Sequence, residues 1–275
     1  MKTSIFFLLL SLLVYSCGKR YDNDPSVLMN FKVASAFDDL TNISDQAVTG
    51  DLVYYKSSGD VVYQKPNEIF DQLKEPCSVV ITLDTSASPR ILTVDYGNTN
   101  CDCNDGKMRR GKIITTFTGP YAEQGTVITH TTDNYYVNDL KIDGSKTVEN
   151  MGLNASGQPS YSILIDGIAT ETTGETFVYS STRERVWTEG FTTLLNRWDD
   201  VYEISGNSSG EFSTGKSYTS STTTPITIKV GCPYPVSGTL QIDPSNRPVR
   251  VIDYGSGTCD NTFTVTINGN TFTIN

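Results

Sequence analysis

From residue 111 onwards the chain is a succession of segments rich in β-branched and aromatic residues, separated by short links containing Gly, Asn and Asp. The segments are GKIITTFTG, GTVITHTTDNYYVN, LKIDGSKTVENMG, PSYSILIDGIATETTG, TFVYSSTRERVWTEG, DDVYEISG and EFSTGKSYTSS. Short links join antiparallel neighbours, because a parallel crossover needs a dozen or more residues. The sequence therefore predicts a mainly β fold, an extended and curved antiparallel meander, with a β-sandwich as the alternative.

The segment TFVYSSTRERVWTEG indicates how such strands are packed. Side chains alternate between the two faces of a strand. One face carries Phe177, Tyr179, Ser181, Arg183, Arg185 and Trp187, and the other carries Val178, Ser180, Thr182, Glu184, Val186 and Thr188. Neither face is a continuous apolar core face. We therefore expect wide strands whose ends are packed and whose middles are partly solvated.

Residues 26 to 48 form the one sizeable helical pattern. Apolar side chains recur there at spacings of three and four, at Val33, Phe37, Leu40, Ile43 and Ala47. This spacing places them on one face of a helix, and Gly50 is a suitable residue to end it. The pattern favours a helix that packs on the sheet over one that binds a partner.

The N-terminus has the features of an export signal. Lys2 precedes an apolar run of ten residues, 5 to 14, which is shorter than the roughly 20 residues that a transmembrane helix needs. Ser16 and Cys17 follow, and this arrangement resembles a bacterial lipobox, although Tyr15 is bulkier than usual. The sequence predicts a signal peptide over 1–16 and lipid attachment at Cys17.

After the anchor, a polar tether over 17–25 leads to a single mainly β body over 26–275. The formal net charge of the chain is −10, which disfavours nucleic acid and anionic head groups as partners. Acidic residues soon after Cys17 resemble surface-export signals. We expect an outer-membrane lipoprotein held by its lipid, at the cell surface or, alternatively, facing the periplasm.

One phrase occurs twice, as VDYGNTNC (94–101) and as IDYGSGTC (252–259). Each copy closes a region that begins with Cys and contains two β-rich stretches around a Ser/Pro turn. The sequence therefore predicts two hairpins, over 77–103 and 232–261, with a cysteine at each open end. In both copies, Asp before Tyr-Gly indicates a side-chain-capped turn in which Gly adopts the special backbone angle.

The cysteines of these hairpins are Cys77, Cys101, Cys103, Cys232 and Cys259. If the second turn is centred on PSNR (244–247), Cys232 lies directly opposite Cys259, within disulfide distance. We predict Cys232–Cys259 and Cys77–Cys101, with Cys103 as a thiol or as the alternative partner of Cys77. Exported proteins form disulfides readily.

The sequence predicts no metal site and no cofactor. His130 is the single histidine, and Cys-x-Cys is not the usual zinc-ligand spacing. DCNDG (102–106) lacks the remaining ligands of a calcium loop and is more typical of a polar turn.

The motifs DYG…C, DGKMRRGKIITTFTGPY, DNYYVN, TRERVW, DDVYEISG and DYGSGTCDN, taken together, resemble a family of Bacteroidota lipoproteins of unknown function. The resemblance extends from about Cys77 to Asn275. It implies an envelope location and a mostly β build. It transfers no catalytic residue.

The predicted function is a non-enzymatic binding, adhesion or structural role, with a glycan or a protein as ligand. Aromatic side chains are candidate ligand contacts, although the same side chains are also typical of half-buried sheet positions. The candidates are Tyr135, Tyr136, Tyr161, Trp187 and Trp198.

Two alternatives stay open. The first is a periplasm-facing carrier or envelope assembly factor that holds an apolar ligand in the hollow of the sheet. The second is a glycan-acting hydrolase, which would need two carboxylates across a cleft. Its candidate carboxylates are Glu184, Glu189, Asp199 and Asp200.

Overall fold

A computed structural model describes residues 25–48, 61–63, 79–103, 106–193, 196–232, 235–260 and 262–274. Within these ranges the chain forms one α-helix, α1 (Pro25–Val48), and fifteen strands. The strands are β1 (Val61–Tyr63), β2 (Val80–Asp84), β3 (Arg90–Asp95), β4 (Cys101–Asp102), β5 (Met108–Phe117), β6 (Val127–Val137), β7 (Leu140–Leu153), β8 (Pro159–Thr170), β9 (Thr176–Glu189), β10 (Val201–Phe212), β11 (Ser217–Lys229), β12 (Ser237–Pro244), β13 (Arg250–Ser256), β14 (Phe263–Ile267) and β15 (Asn270–Ile274).

All the strands belong to one antiparallel sheet. Its order is β1-β2-β3-β5-β6-β7-β8-β9-β10-β11-β12-β13-β14-β15, with the short β4 beside β5. Almost every strand pairs with its neighbour in the chain, because the links between them are short. The predicted mainly β meander with one N-terminal helix is confirmed. The alternative of a sandwich is wrong, since the described strands form a single open sheet.

Most of the predicted segments correspond to single strands, and one does not. EFSTGKSYTSS contains the end of β10, a turn at Gly215 with φ of 82°, and the start of β11. Glycine adopts positive φ at no steric cost, which explains why the chain reverses there.

The helix α1 lies across the strands on one face of the sheet. Near its start, the Oδ1 of Asn30 accepts a hydrogen bond from the hydroxyl of Tyr218 in β11 at 2.6 Å. Near its end, the hydroxyl of Ser44 is 2.7 Å from that of Thr115 in β5. The predicted apolar stripe faces the sheet, with Phe37 fully buried. The prediction of a helix packed on the sheet is confirmed, and Gly50 lies outside the described residues.

The face under α1 has a row of directly opposed residues that runs across the central strands. In strand order the row is Leu92, Thr115, His130, Lys146, Ile165, Ser181, Ser208, Ser220, Ile242, Arg250 and Ile267. Many of these are polar, yet Lys146, Ser181 and Ser220 are buried. The expectation that the strand middles are partly solvated is therefore wrong on this face. Small and polar side chains occupy the middles because α1 lies over them.

Three cations of the sheet form ion pairs with two consecutive acids on α1. Asp38 forms ion pairs with Lys146, whose Nζ lies 2.8 Å from Oδ1, and with Arg183, whose Nη1 lies 3.4 Å from Oδ2. Asp39 forms an ion pair with the buried Arg109, whose Nη2 lies 2.5 Å from Asp39 Oδ2. Burial alone would raise the pKa of Asp38, but Lys146 and Arg183 together lower it to about 2. Lys146, Arg183 and Arg109 thus each have a carboxylate partner, as burial of charge requires.

Both copies of the repeated phrase form the predicted side-chain-capped turn. The Oδ1 of Asp95 accepts a hydrogen bond from the amide of Gly97 at 2.8 Å. The Oδ1 of Asp253 accepts one from the amide of Gly255, also at 2.8 Å. Both glycines have positive φ, 76° and 89°. The tyrosine between Asp and Gly, at 96 and 254, is buried in each copy. The repeated phrase is therefore an architectural element.

The second hairpin forms with a register one residue away from the predicted one. Leu240 pairs with Ile252, whereas a turn centred on PSNR would place it opposite residue 251. The register shifts again between Ser237 and Thr239. Cys232 and Cys259 lie beyond the paired strands and form the predicted disulfide, with Cα atoms 5.5 Å apart. The prediction of the bond was right and that of the register was wrong.

In the first hairpin Cys101 is disulfide-bonded. Its predicted partner Cys77 lies outside the described residues, as does Cys17. Cys103 is a buried thiol whose Sγ is 3.5 Å from the carbonyl oxygen of Cys101. Within DCNDG, Asp102 belongs to β4 and Cys103 directly follows that strand. Residues 104–105 are outside the described ranges.

Candidate binding surface

Two of the predicted aromatic contacts lie in the core. Tyr135 is fully buried and packs against Tyr96, with ring centroids 6.3 Å apart. Tyr161 is buried and stacks on Tyr121 at 5.1 Å. The guanidinium of Arg185 lies 4.7 Å from the centroid of Tyr161. The prediction of surface contacts is wrong for both tyrosines, because their strand positions face α1 and not solvent.

Trp187 is buried too, and its indole is part of a polar network. Its Nε1 donates to the Oδ1 of Asp200 at 3.2 Å, and the hydroxyl of Tyr202 donates to Oδ2 at 3.0 Å. Burial raises the pKa of Asp200, while these two donors act in the opposite direction. Trp187 and Asp200 therefore support one another structurally, which corrects the prediction of Trp187 as a surface contact.

The remaining aromatic candidates are more accessible. Trp198 is 66% exposed and lies beside Gly231, where an added Cβ would be 3.6 Å from its ring. Tyr136 is half-buried, and the guanidinium of Arg110 lies 3.6 Å from its ring centroid. Arg110 is itself paired with Asp139 at 2.5 Å. Solvent reaches both aromatic side chains, and their role as ligand contacts stays a prediction.

The carboxylates considered for hydrolysis have separate structural settings. Glu184 accepts the hydroxyl of Ser160 at 3.3 Å. Asp199 accepts that of Thr193 at 2.8 Å. Glu189 is exposed at the end of β9. Asp200, next to Asp199 in the chain, is buried and accepts hydrogen bonds from Trp187 and Tyr202. The hydrolase alternative stays a prediction.

The face opposite α1, which we call the open face, is rich in hydroxyl groups. One row of directly opposed residues crosses it at the level next to the buried row. In strand order it is Thr116, Thr129, Thr147, Leu164, Thr182, Asn207, Ser221, Gln241, Val251 and Thr266. Adjacent hydroxyls come close, as at Thr129 and Thr147, whose Oγ1 atoms are 3.4 Å apart. The open face thus offers many donors and acceptors to solvent or to a ligand.

Part of the open face forms a groove of about 370 Å³ over β9 to β12. Four of its side chains oppose one another in a line, Ser180 to Ser209 to Thr219 to Asp243. Small side chains in neighbouring strands leave a depression between larger ones. We call this depression the serine groove.

The serine groove has carboxylates and hydroxyls around its small side chains. Glu211 and Asp243 contribute the carboxylates, and Ser217 and Ser245 lie at its end. The amide of Gln241 donates to Asp243 Oδ2 at 2.8 Å, which holds that carboxylate in place. The amide of Ser217 donates to Ser245 Oγ at 3.0 Å. The groove therefore has a fixed carboxylate acceptor, Asp243, beside several hydroxyl groups.

An exposed apolar ridge borders the groove. Val178 lines it and is 53% exposed, and Ile168, directly opposite in β8, is 43% exposed. Leu164, further along the same face of β8, is 47% exposed. The combination of hydroxyls, carboxylates and a small apolar strip suits a ligand that is itself amphipathic.

Sequence reasoning did not identify the serine groove. Alternation in TFVYSSTRERVW correctly placed Val178 and Ser180 on the same face. The pairing of Ser209, Thr219 and Asp243 depends on the registers of three hairpins, and no local pattern specifies them. Composition alone, with its abundance of Ser and Thr, would not distinguish a groove from an ordinary solvated face.

No family model, curated protein or solved structure matches this chain. The resemblance to a Bacteroidota lipoprotein family therefore stays a prediction. Within the described ranges there is no group of three or more His, Cys, Asp or Glu side chains placed to hold a metal ion. In the same part of the chain, no helix has the length and apolar character to cross a membrane.

Proposed function

We propose that this protein is a lipid-anchored envelope protein that binds a neutral or amino-bearing glycan at the serine groove on its open face. The observation that carries the proposal is the line of Ser180, Ser209, Thr219 and Asp243 in a groove of about 370 Å³. A pocket of a few hundred Å³ with convergent polar groups has the size of a small-molecule site.

The chemistry of the groove favours a polyhydroxylated ligand. Serine and threonine hydroxyls both donate and accept, and carboxylates accept from two donors at once, as a sugar diol provides. The exposed Val178 and Ile168 can cover the apolar C–H face of a sugar ring. Each element of a sugar thus has a complementary group.

The negative charge of the groove and of the whole chain disfavours anionic glycans as ligands. Glu211 and Asp243 lie in the groove, and the chain as a whole has a formal net charge of −10. Sulfated or uronic-acid glycans would be repelled by this field, particularly at low ionic strength. Neutral glycans and amino sugars are therefore the expected ligands.

The carrier alternative receives less support. A carrier would hold its apolar ligand on the covered face, where α1 lies over the strand middles. The charges there, such as Lys146 and Arg183 with Asp38, are engaged with the helix. Loading a lipid would require the removal of α1 and the exposure of these charges to an apolar ligand, which is costly.

A glycan array tests the proposal directly. The detergent-purified protein is applied to neutral, amino-bearing and anionic glycans, and we expect signal on the first two classes. Glu211→Gln and Asp243→Asn should each weaken binding about tenfold, because a carboxylate acceptor is lost. Glu149→Gln, on an exposed position of β7 away from the groove, makes the same charge change and should leave binding unchanged. Equal loss in all three variants would remove the groove as the binding site.

The anchor and location need a separate experiment. In cells, Cys17→Ser should stop lipid incorporation and release the protein from the membrane fraction. Protease treatment of intact cells should release peptides from residues 111–275 while a periplasmic control protein stays intact. Protection of those peptides until the outer membrane is opened would place the body in the periplasm and contradict a surface role.

A further inference from the structure

We propose that two copies of this chain associate through strand β15, joining their sheets into one continuous antiparallel sheet. In the described part of the chain β15 pairs with β14 alone, so it forms one edge of the sheet. All five of its residues are exposed. An edge strand presents unpaired N–H and C=O groups, which another strand can pair with.

In the described part of the chain, this edge lacks charged side chains, proline and bulges. Natural edge strands carry charged side chains, proline or bulges that discourage pairing. Neither β14 (FTVTI) nor β15 (NTFTI) contains a charged residue or a proline. Their pairing runs without a register shift from Phe263–Ile274 to Ile267–Asn270. The edge is therefore regular and open to association.

The hairpin turn determines which backbone groups are available. Asn268 and Gly269 have φ of 50° and 77°, as in the two-residue turn of type I′. Ile267 and Asn270 are then a hydrogen-bonded pair, and such pairs alternate along the ladder. It follows that the amides and carbonyls of Thr271 and Thr273 point away from β14, toward the free edge.

These groups make β15 complementary to itself. With a two-fold axis at Phe272, Thr271 of one copy lies opposite Thr273 of the other, and their outward groups form hydrogen-bonded pairs. The two Phe272 residues then face each other as a non-hydrogen-bonded pair, in which side chains are closest. Aromatic pairs and Thr–Thr pairs are favourable across strands. β15 already makes the same kinds of pair with β14, at Thr264–Thr273 and Val265–Phe272.

The absence of charge on β14 and β15 makes this edge a place where two copies can meet. Each copy has a formal net charge of −10, so most contacts between copies would bring like charges together. The β14–β15 hairpin is a neutral part of the surface, where two acidic molecules can meet without opposed carboxylates. An isologous two-fold contact also closes on itself and stops at the dimer.

Cysteine cross-linking tests the contact and its register in the full-length protein. Phe272→Cys places two thiols opposite each other, within disulfide distance, and mild oxidation should give a dimer band on a non-reducing gel. Asn270→Cys is the matched control on the same strand and face. Its thiols would be four residues out of register, or roughly 13 Å along the strand, and should not cross-link.

A second pair of variants tests the backbone pairing. Thr273→Pro removes an outward amide while the pairing to β14 loses no donor, and prolines are tolerated at such edge positions. Sedimentation analysis in density-matched detergent should show self-association weakened at least about tenfold. Thr273→Ala keeps the amide and should behave as the unmodified protein.

Two results would overturn the proposal. One is an unmodified protein that stays monomeric over its accessible concentration range. The other is a Phe272→Cys protein that cross-links only to other envelope proteins, because the edge would then serve a different partner. Glycan binding in Thr273→Pro should be unchanged, which separates the fate of this contact from that of the serine groove.

Discussion

The ring of Phe37 in α1 lies directly on the backbone of Gly167 in β8. A Cβ added at position 167 would be 2.3 Å from the Cζ of Phe37, far inside van der Waals contact. Phe37 is fully buried and also stacks against Tyr179, with ring centroids 6.4 Å apart. Position 167 therefore needs glycine for space, and this glycine sets how closely the helix approaches the sheet.

Gly167→Ala should destabilise the protein by about 1–3 kcal/mol, the usual cost of overpacking a core. The added methyl group forces Phe37 off its position and lifts this turn of α1. Urea unfolding followed by tryptophan fluorescence would measure the change in the free energy of unfolding.

A double-mutant cycle with Phe37→Leu separates this clash from a general loss of strand stability. The smaller side chain should recover part of the loss in the Gly167→Ala background, so the two effects should fall short of additive by 0.5 kcal/mol or more. Strict additivity would show that Phe37 and Gly167 are energetically independent.

The repeated Asp-Tyr-Gly phrase offers a test of architecture against chemistry. Asp253→Ala removes the acceptor for the amide of Gly255 and should cost about 1 kcal/mol, as loss of a hydrogen bond does. Asp253→Asn keeps an acceptor oxygen and should cost less. Thermal unfolding of both variants measures this, and unchanged glycan binding is expected in each. Loss of binding with unchanged stability would point to a functional role for Asp253.

The local parts of the fold could be predicted from the sequence. The helix stripe, the strands between Gly and Asn turns, and the Asp-capped turns each depend on residues close together in the chain. The Cys232–Cys259 bond was also predictable, because the hairpin brings the two residues together even with its register off by one.

The features of the fold that the sequence did not predict depend on contacts between distant segments of the chain. The pairing of Asp38 with Lys146 and that of Asp39 with Arg109 join residues 108 and 70 positions apart. Lys146 lies between Ile142 and Val148, two apolar residues that face inward from β7. A lysine between such residues was a signal of a buried charge. Its partner could not be named without the path of α1. For the same reason the serine-rich strand middles were taken as solvated.

The disulfide of the second hairpin should make a measurable contribution to stability. It closes a loop with a sequence separation of 27, for which the chain-entropy relation gives about 3–4 kcal/mol. The Cys232→Ala/Cys259→Ala variant should therefore unfold at lower urea concentration than the parent protein. Addition of reductant should affect the parent more than the variant. Equal stability of the two proteins would show that the β12–β13 ladder holds this end by itself.

The buried histidine gives the folded state a specific dependence on pH. His130 Nδ1 lies 2.9 Å from Thr115 Oγ1 and 3.2 Å from Ser44 Oγ, and its Nε2 lies 3.3 Å from Thr41 Oγ1. Burial, and then the charges of Lys146 and Arg185, lower the pKa of His130 to about 3. The imidazole is therefore neutral in the folded protein at ordinary pH.

The sign of the effect follows from the two protonation equilibria. Below about pH 6.5 the histidine of the unfolded chain binds a proton, whereas that of the folded chain does so only near pH 3. The stability that neutral His130 contributes is complete above pH 6.5 and is lost progressively as the pH falls toward 3. Between pH 8 and pH 5 the free energy of unfolding should fall by about 2 kcal/mol from this residue.

His130→Gln is the decisive comparison, because the chain has one histidine and carboxylates titrate mainly below pH 5. Glutamine can keep hydrogen bonds to Thr115 and Ser44 and cannot bind the proton. Urea unfolding at half-unit steps from pH 8 to pH 5 should show a sloping free energy of unfolding for the parent protein and a flat one for the variant. A parallel slope in both proteins would mean that His130 is protonated equally in the folded and unfolded states, and that α1 does not seal it from water.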